Sequence, residues 1–331
     1  MKAVLMTQPG AADLLEVRDI PEPTVTAPTQ IKVRLRAAGI NPVDTKLRQN
    51  GVLYATPLPA VLGCDGAGEV VETGSGVSQY KVGDRVWFCN GGLGGEQGNY
   101  AEYTVLDERW AAPMPKTLDF EHAAAGPLVL ITAWGMLYDR GRLQAGHTVL
   151  IHAGAGGVGH VGLQLAKLQG ARVLTTVGSP GNAERVKHWG ADEAIDYREE
   201  DFVAAVNDLT SGNGADLVVD TVGPEVFRRS IACTAHFGDL VTLLDPGEIS
   251  LREARMRNLR IGFELMLTPI LRGLDAARDH HVEILKQCGE RIDQGRLQIH
   301  VSEVLPLERA AVAHARIETG RTVGKLVLKI A

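Results

Sequence analysis

The sequence predicts an α/β protein in which a doubly wound parallel sheet is inserted into a β-rich domain. Three observations carry this prediction. A buried-strand pattern at Thr148–His152 runs straight into a glycine-rich turn and then a helix that stops at Gly170. Strand and helix patterns alternate from there to Phe263. The chain ends on an apolar strand, Lys325–Ile330, expected to return to the first domain.

The totals agree with two ordinary domains. At 331 residues the chain is long for one core. Hydrophobic content of 45% with 22% charged residues describes a soluble globular protein. The net charge of −6, with scattered basic residues, argues against nucleic acid as a partner. Cys64, Cys89, Cys233 and Cys288 are far apart and form no C-x-x-C pair, so neither a zinc ribbon nor a redox dithiol is readable. Reduced thiols in a cytoplasmic protein are the simplest expectation. Met1–Gly10 lacks the apolar core of a signal peptide. The stretch Ala123–Leu137, broken by Gly126, Pro127 and Gly135, is too short to span a bilayer, so no membrane partner is expected.

In chain order, Lys2–Met6 is a short strand ended by Pro9-Gly10, and Ile31–Ala37 alternates apolar and charged residues as a half-buried strand does. Gly68–Gly74, Asp84–Phe88 and Tyr100–Val105 are further short strands, with Gly91–Gly98 as a flexible loop between two of them. The expected strands of the parallel sheet are Thr148–His152, Arg172–Val177, Ala194–Asp196, Asp216–Thr221, Asp239–Leu244 and Arg260–Phe263. Helices such as Ala183–Trp189 and Phe202–Leu209 separate them. Asp275–Gln294 and Leu307–Thr319 read as helical. The expected division is residues 1–122 with 266–331 as one domain and residues 123–265 as the other.

Gly154, Gly156 and Gly159 make G-x-G-x-x-G between a strand and a helix, the context that marks a dinucleotide site. Gly154 permits the tight turn, Gly156 lets a pyrophosphate approach the backbone, and Gly159 lets the helix pack close to the strand. Free N–H groups and the helix dipole favour the anion. The second strand ends Val177-Gly178-Ser179-Pro180-Gly181-Asn182, without the carboxylate that would bind a ribose 2′-hydroxyl. Ser179 and Asn182 can donate to a 2′-phosphate, with Arg185 and Tyr197-Arg198 nearby, so NADPH is expected over NADH.

The segment from Gly146 through Gly154-Ala155-Gly156-Gly157 and Gly159 to Gln164 and Lys167 resembles the signature of quinone oxidoreductases and zeta-crystallins. These belong to the medium-chain dehydrogenase/reductase superfamily. Gly39–Thr45 and Leu62–Gly68 resemble its two first-domain active-site loops. Gly83–Val86, Ala101–Tyr103, Leu130–Trp134, Asp220–Gly223 and Gly324–Leu328 match it as well. The resemblance implies a GroES-like domain split by a Rossmann domain, with the cofactor in the cleft between them. It implies cofactor contacts at Asn41, Thr132, Gly156, Gly157, Val158, Ser179, Tyr197 and the Leu243-Leu244 loop, and a homodimer joined through sheet edges of the nucleotide domain.

Zinc-dependent alcohol dehydrogenases of this superfamily carry Cys in the first loop, His-Glu in the second and a Cys near the domain junction. Here Asn41, Cys64-Asp65 and Pro127-Leu128-Val129 stand in those places. Three protein ligands cannot be found, so no metal is expected, and Cys64 reads as a small buried thiol. An acceptor that takes hydride without Lewis-acid help, a quinone or conjugated enone, then fits best. Asn41 and Thr132 are candidates for holding the nicotinamide or the acceptor. Asn41 reads equally as a turn residue before Pro42, and Thr132 as a satisfied helix hydroxyl. No side chain reads as a general acid. His152 reads as a buried, hydrogen-bonded structural histidine, and Asp44 and Asp65 as residues that cap or brace turns. A zinc-containing alcohol dehydrogenase and a non-catalytic NADPH-binding protein are the alternatives.

Overall fold

The computed structural model describes residues 1–54 and 58–330, and they divide into two compact units. One comprises Met1–Leu128 and the stretch from Thr268 onward; the other is Val129–Leu267. The first boundary therefore lies inside the helix Pro127–Trp134 instead of at residue 122.

The second unit is a six-stranded parallel sheet. Its strands lie in the order Glu193–Asp196, Arg172–Val177, Thr148–Ile151, Ala215–Asp220, Thr234–Thr242, Arg260–Phe263. Direction of travel reverses between Thr148–Ile151 and Ala215–Asp220, where open α/β sheets bind ligands at their carboxyl ends. The helices Gly157–Leu168, Pro180–His188, Phe202–Leu209 and Pro224–Ser230 connect the strands. Side-chain caps set some of their starts. Ser179 Oγ accepts from Asn182 N, and Asp201 from Val203 N and Ala204 N. Leu150, Leu174, Val218, Phe227 and Leu240 are buried together in the core of this unit.

In this sheet one strand departs from expectation by more than a residue at both ends. Thr234–Thr242 begins five residues before Asp239, because Ala215 pairs with Thr234 ahead of a register shift. It stops two residues short of Leu244, because Thr242 Oγ1 accepts from Leu244 N and folds the chain into a turn.

The first unit holds a seven-stranded sheet and a three-stranded one. Gln30–Ile40 is the central strand of the larger sheet, pairing with Asp65–Thr73, Tyr103–Asp107 and the C-terminal strand Lys325–Lys329. The register sets Gly39 opposite Asp65 and Ile40 opposite Leu326. It thereby brings Asn41, Asp65 and Lys325 to one corner. Trp87 and Phe88 are wholly buried. The loop expected to be flexible at Gly91–Gly98 is largely buried: Gly91–Gly94 and Gly98 are covered, with only Gly95 and Glu96 exposed. Among the described residues no helix is long and apolar enough to cross a membrane.

Candidate active site

Most of the expected nucleotide residues lie in the second unit, at the carboxyl ends of its strands. The glycine turn follows Thr148–Ile151 and leads into the helix Gly157–Leu168. The first turn-to-helix bond is His160 N to Gly156 O, 3.0 Å. The N–H groups of Gly157, Val158 and Gly159 precede it and are those a helix leaves without an intrahelical acceptor. The three glycines answer three different demands. A Cβ on Gly159 would lie 2.4 Å from Ala153 O and 2.7 Å from Gly154 Cα. A Cβ on Gly156 would meet only Ala153 O, at 3.2 Å, with open space otherwise. Gly154 is not the left-handed residue of the turn. That is Ala153, at φ 51°. A side chain at Gly154 is barred instead by Thr175, whose Oγ1 would stand 2.1 Å from its Cβ.

At the next strand tip, Gly178 packs against Tyr197, whose hydroxyl would be 2.6 Å from a Cβ there. Tyr197 follows the strand Glu193–Asp196 and is 53% exposed. Ser179, Asn182 and Tyr197 are thus gathered at one rim, and Arg185 Nη1 donates to Asn182 Oδ1 at 3.1 Å. Leu243 and Leu244 lie half-buried in the turn after Thr242. Leu244 Cδ1 stands 3.5 Å from the place of a Cβ on Gly223. Asp220 is buried below them. It accepts from Val222 N, Gly223 N and Thr242 Oγ1, and burial raises its pKa. Thr132 is buried in the helix Pro127–Trp134 of the same unit. His152 is buried between Thr176 Oγ1 (3.1 Å) and Ser230 Oγ (2.9 Å), and desolvation brings its pKa down to about 3. It is neutral at ordinary pH and tied at both ring nitrogens, which makes it a structural group.

Asn41 lies in the first unit, wholly buried at the start of the helix Pro42–Asn50. Its Nδ2 donates to Asp65 Oδ2 at 2.8 Å, and its Oδ1 accepts from Lys325 Nζ. Lys325 also donates to Ile40 O at 2.7 Å and stands 4.0 Å from Asp65 Oδ2. The other oxygen of Asp65 accepts from Leu128 N, 2.9 Å. Asp44 Oδ2 accepts from Asn41 N (2.8 Å) and from Tyr100 OH (3.1 Å), while its Oδ1 has no hydrogen-bond partner among the described residues. Tyr100 OH in turn lies 3.2 Å from His314 Nε2. Burial pushes Asp44 up to about 7 and Asp65 up to about 6. Desolvation and the neighbouring carboxylates drive the Cys64 and Cys89 thiols well above their usual value, so both are protonated. Lys325, Tyr100 and His314 were not singled out by sequence reasoning. Lys325 opens the strand Lys325–Lys329 and is buried, whereas Lys329 at its other end is exposed.

In this corner Asn41 and Asp65 are committed to partners within the chain, and an ammonium stands beside them. Among the described residues no group of three or more His, Cys, Asp and Glu side chains is arranged to hold a metal ion.

Two family models match the chain: the alcohol dehydrogenase GroES-like domain at residues 27–116, and zinc-binding dehydrogenase at residues 189–328. The chain is 35% identical to the quinone oxidoreductase of Pseudomonas aeruginosa over 325 residues, covering 96% of each. A crystal structure of an alcohol dehydrogenase superfamily protein from Novosphingobium aromaticivorans superposes with a TM-score of 0.92 at 33% identity, over 100% of both chains. The Escherichia coli quinone oxidoreductase complexed with NADPH superposes with a TM-score of 0.88 at 29% identity, again over 100% of both. With the strand order and glycine turn already described, these matches show that the chain belongs to the quinone oxidoreductases of the medium-chain dehydrogenase/reductase superfamily.

Proposed function

We propose that this protein is an NADPH-dependent reductase that delivers hydride to a quinone or a conjugated enone without a catalytic metal. The observation that carries the reading is the corner around Asn41, where an amide already bound to Asp65 and Lys325 stands in place of a zinc ligand. Without a Lewis acid, an unactivated ketone or alcohol is a poor partner and an electron-poor acceptor is a good one. NADPH supplies the hydride when bound, as the E. coli relative's complex with it supports.

The chain's own residues then divide the work. The N–H groups of Gly157, Val158 and Gly159 take the pyrophosphate, with Gly154 and Gly156 leaving the backbone bare. Ser179, Asn182 and Tyr197 receive the 2′-phosphate, since the strand tip has no carboxylate to repel it. Leu243, Leu244 and the Thr132 hydroxyl orient the nicotinamide half. Asn41 acts by bracing its loop, because its carboxamide is spent on Asp65 and Lys325. Solvent protonates the reduced acceptor, as Asp44 is buried away from any surface. We further propose a homodimer, with the sheet edge Arg260–Phe263 as the joining strand.

The test is NADPH oxidation by metal-stripped protein, with and without a small quinone, with NADH in parallel. Quinone-dependent oxidation preferring NADPH is expected. Turnover restored only by zinc would establish a metal-dependent alcohol dehydrogenase instead. Tight NADPH binding without turnover of any quinone, enone or aldehyde would establish a non-catalytic binder.

A further inference from the structure

We propose that Lys325 is the fixed cation of the corner around Asn41, a positioning residue whose ammonium takes the electrostatic place of the metal in zinc-dependent members of the superfamily. The inference rests on the reading that the loops Gly39–Thr45 and Leu62–Gly68 border the acceptor. A lysine that is only 3% exposed is unusual, and this one is built in. Its ammonium is held by Ile40 O and Asn41 Oδ1 and faces Asp65. The titratable groups around it are Asp65, Asp44, Cys89 and Cys64, with Asp65 the strongest support for its charge. Burial lowers the pKa of Lys325, and the neighbouring Asp65 and Asp44 oppose that fall.

The arrangement gives the ammonium two tasks. It turns Asn41 so that Oδ1 faces Nζ and Nδ2 faces Asp65, which fixes the first loop against the second. It also holds the positive end of the Lys325–Asp65 pair in a dry corner, where the field of a charge reaches further than in water. That positive end favours negative charge growing on an acceptor oxygen, and the reaction requires no proton from Nζ. A dication brought to the same corner would meet that ammonium and find Asn41 and Asp65 already engaged.

The test separates this role from an ordinary buried ion pair. Lys325→Gln retains an N–H donor but removes the charge, and leaves Asp65 buried without its cation. The double variant Lys325→Gln with Asp65→Asn removes both charges and restores neutrality. If Lys325 positions and polarises the reaction centre, the double variant melts close to the wild type and binds NADPH within about threefold, yet its kcat stays down by about tenfold or more. Recovery of kcat to within about threefold in the double variant would reduce Lys325 to the structural partner of Asp65 and overturn the proposal. Failure of the double variant to fold would do the same, by assigning the ammonium to stability alone. Absence of quinone turnover in the wild type would instead count against the reductase reading. Cobalt titration supplies a readout independent of turnover: the wild type should show no ligand-field bands of a protein-bound ion, and their appearance with one equivalent would also overturn the proposal.

Discussion

At the scale of single residues, the glycine turn separates two demands that the motif merges. Gly159 is required by the protein, since any side chain there runs into the Ala153 carbonyl and the Gly154 backbone. Gly156 is not, since a side chain there would face mostly open space, and on the proposed reading its bareness serves the ligand. The two substitutions should therefore fail differently. Gly159→Ala should lower stability by about 1–3 kcal/mol, because backbone atoms cannot swing aside as a flexible side chain would. Gly156→Ala should fold with a midpoint near that of the wild type and lose about tenfold or more in NADPH affinity. Chemical denaturation paired with isothermal titration of both variants checks this. Equal loss of stability in the two would refute the division. The demand at Gly154 could not be read from the chain, because Thr175 is brought against it only when the second strand pairs with the first.

At the scale of elements, the two edges of the parallel sheet are not alike. Glu193–Asp196 ends in charged residues and is followed by Arg198, Glu199 and Glu200, which discourage a further strand from pairing. Among the described residues Arg260–Phe263 pairs on one side only, with Thr234–Thr242, and Phe263 at its end and Leu265 just beyond are 58% and 54% exposed. An edge with exposed apolar residues suits a two-fold contact between copies. The wild type should therefore sediment as a dimer at micromolar concentration. The double change Phe263→Asp with Leu265→Asp should weaken dimerisation by about tenfold or more while leaving the sheet intact. A variant that sediments like the wild type would place the interface elsewhere. The helix after Asp201 was legible from its start, whereas the one capped by Ser179 begins at Pro180, three residues before the expected Ala183. The strand start at Thr234 was not legible, because it is set by pairing with Ala215 and not by the strand's own pattern.

At the scale of the whole molecule, four buried titratable groups work against one another as pH changes. His152 and His314 have pKa values brought down from 6.5 to about 3, so the unfolded chain binds protons first as pH falls. Their contribution to stability is complete above 6.5 and is lost as pH falls from there towards about 3. Asp44 and Asp65 run the other way. Raised from 3.8 to about 7 and about 6, they hold protons in the folded state that the unfolded chain releases. Their contribution is complete below 3.8 and is lost as pH rises through about 6 to about 7. Asp44→Asn removes one of the opposing pair. Its stability should climb more steeply between about pH 4 and pH 7 than that of the wild type, by at most about 1.4 kcal/mol per pH unit. Urea midpoints across that range measure the slopes, and parallel slopes would mean that Asp44 is ionised throughout.

Much of this protein is local, and the sequence by itself determined that part. Hydrophobic period sets the strands and helices, caps and glycines set many of their ends, and the G-x-G-x-x-G turn sets the strand-to-helix corner proposed as the nucleotide cradle, because each depends on neighbours a few residues away. The return of the C-terminal strand to the first domain was expected; it pairs with Gln30–Ile40. What the strand carries there was decided only by tertiary structure. Lys325 reaches an Asn41 that is 284 residues away in the chain, and the register of two strand pairings also sets Asp65 beside them. A lysine at a strand end is ordinarily solvated. Only the folded sheet takes water from this one and surrounds it with carbonyl and carboxylate oxygens, turning a surface residue type into a buried charge.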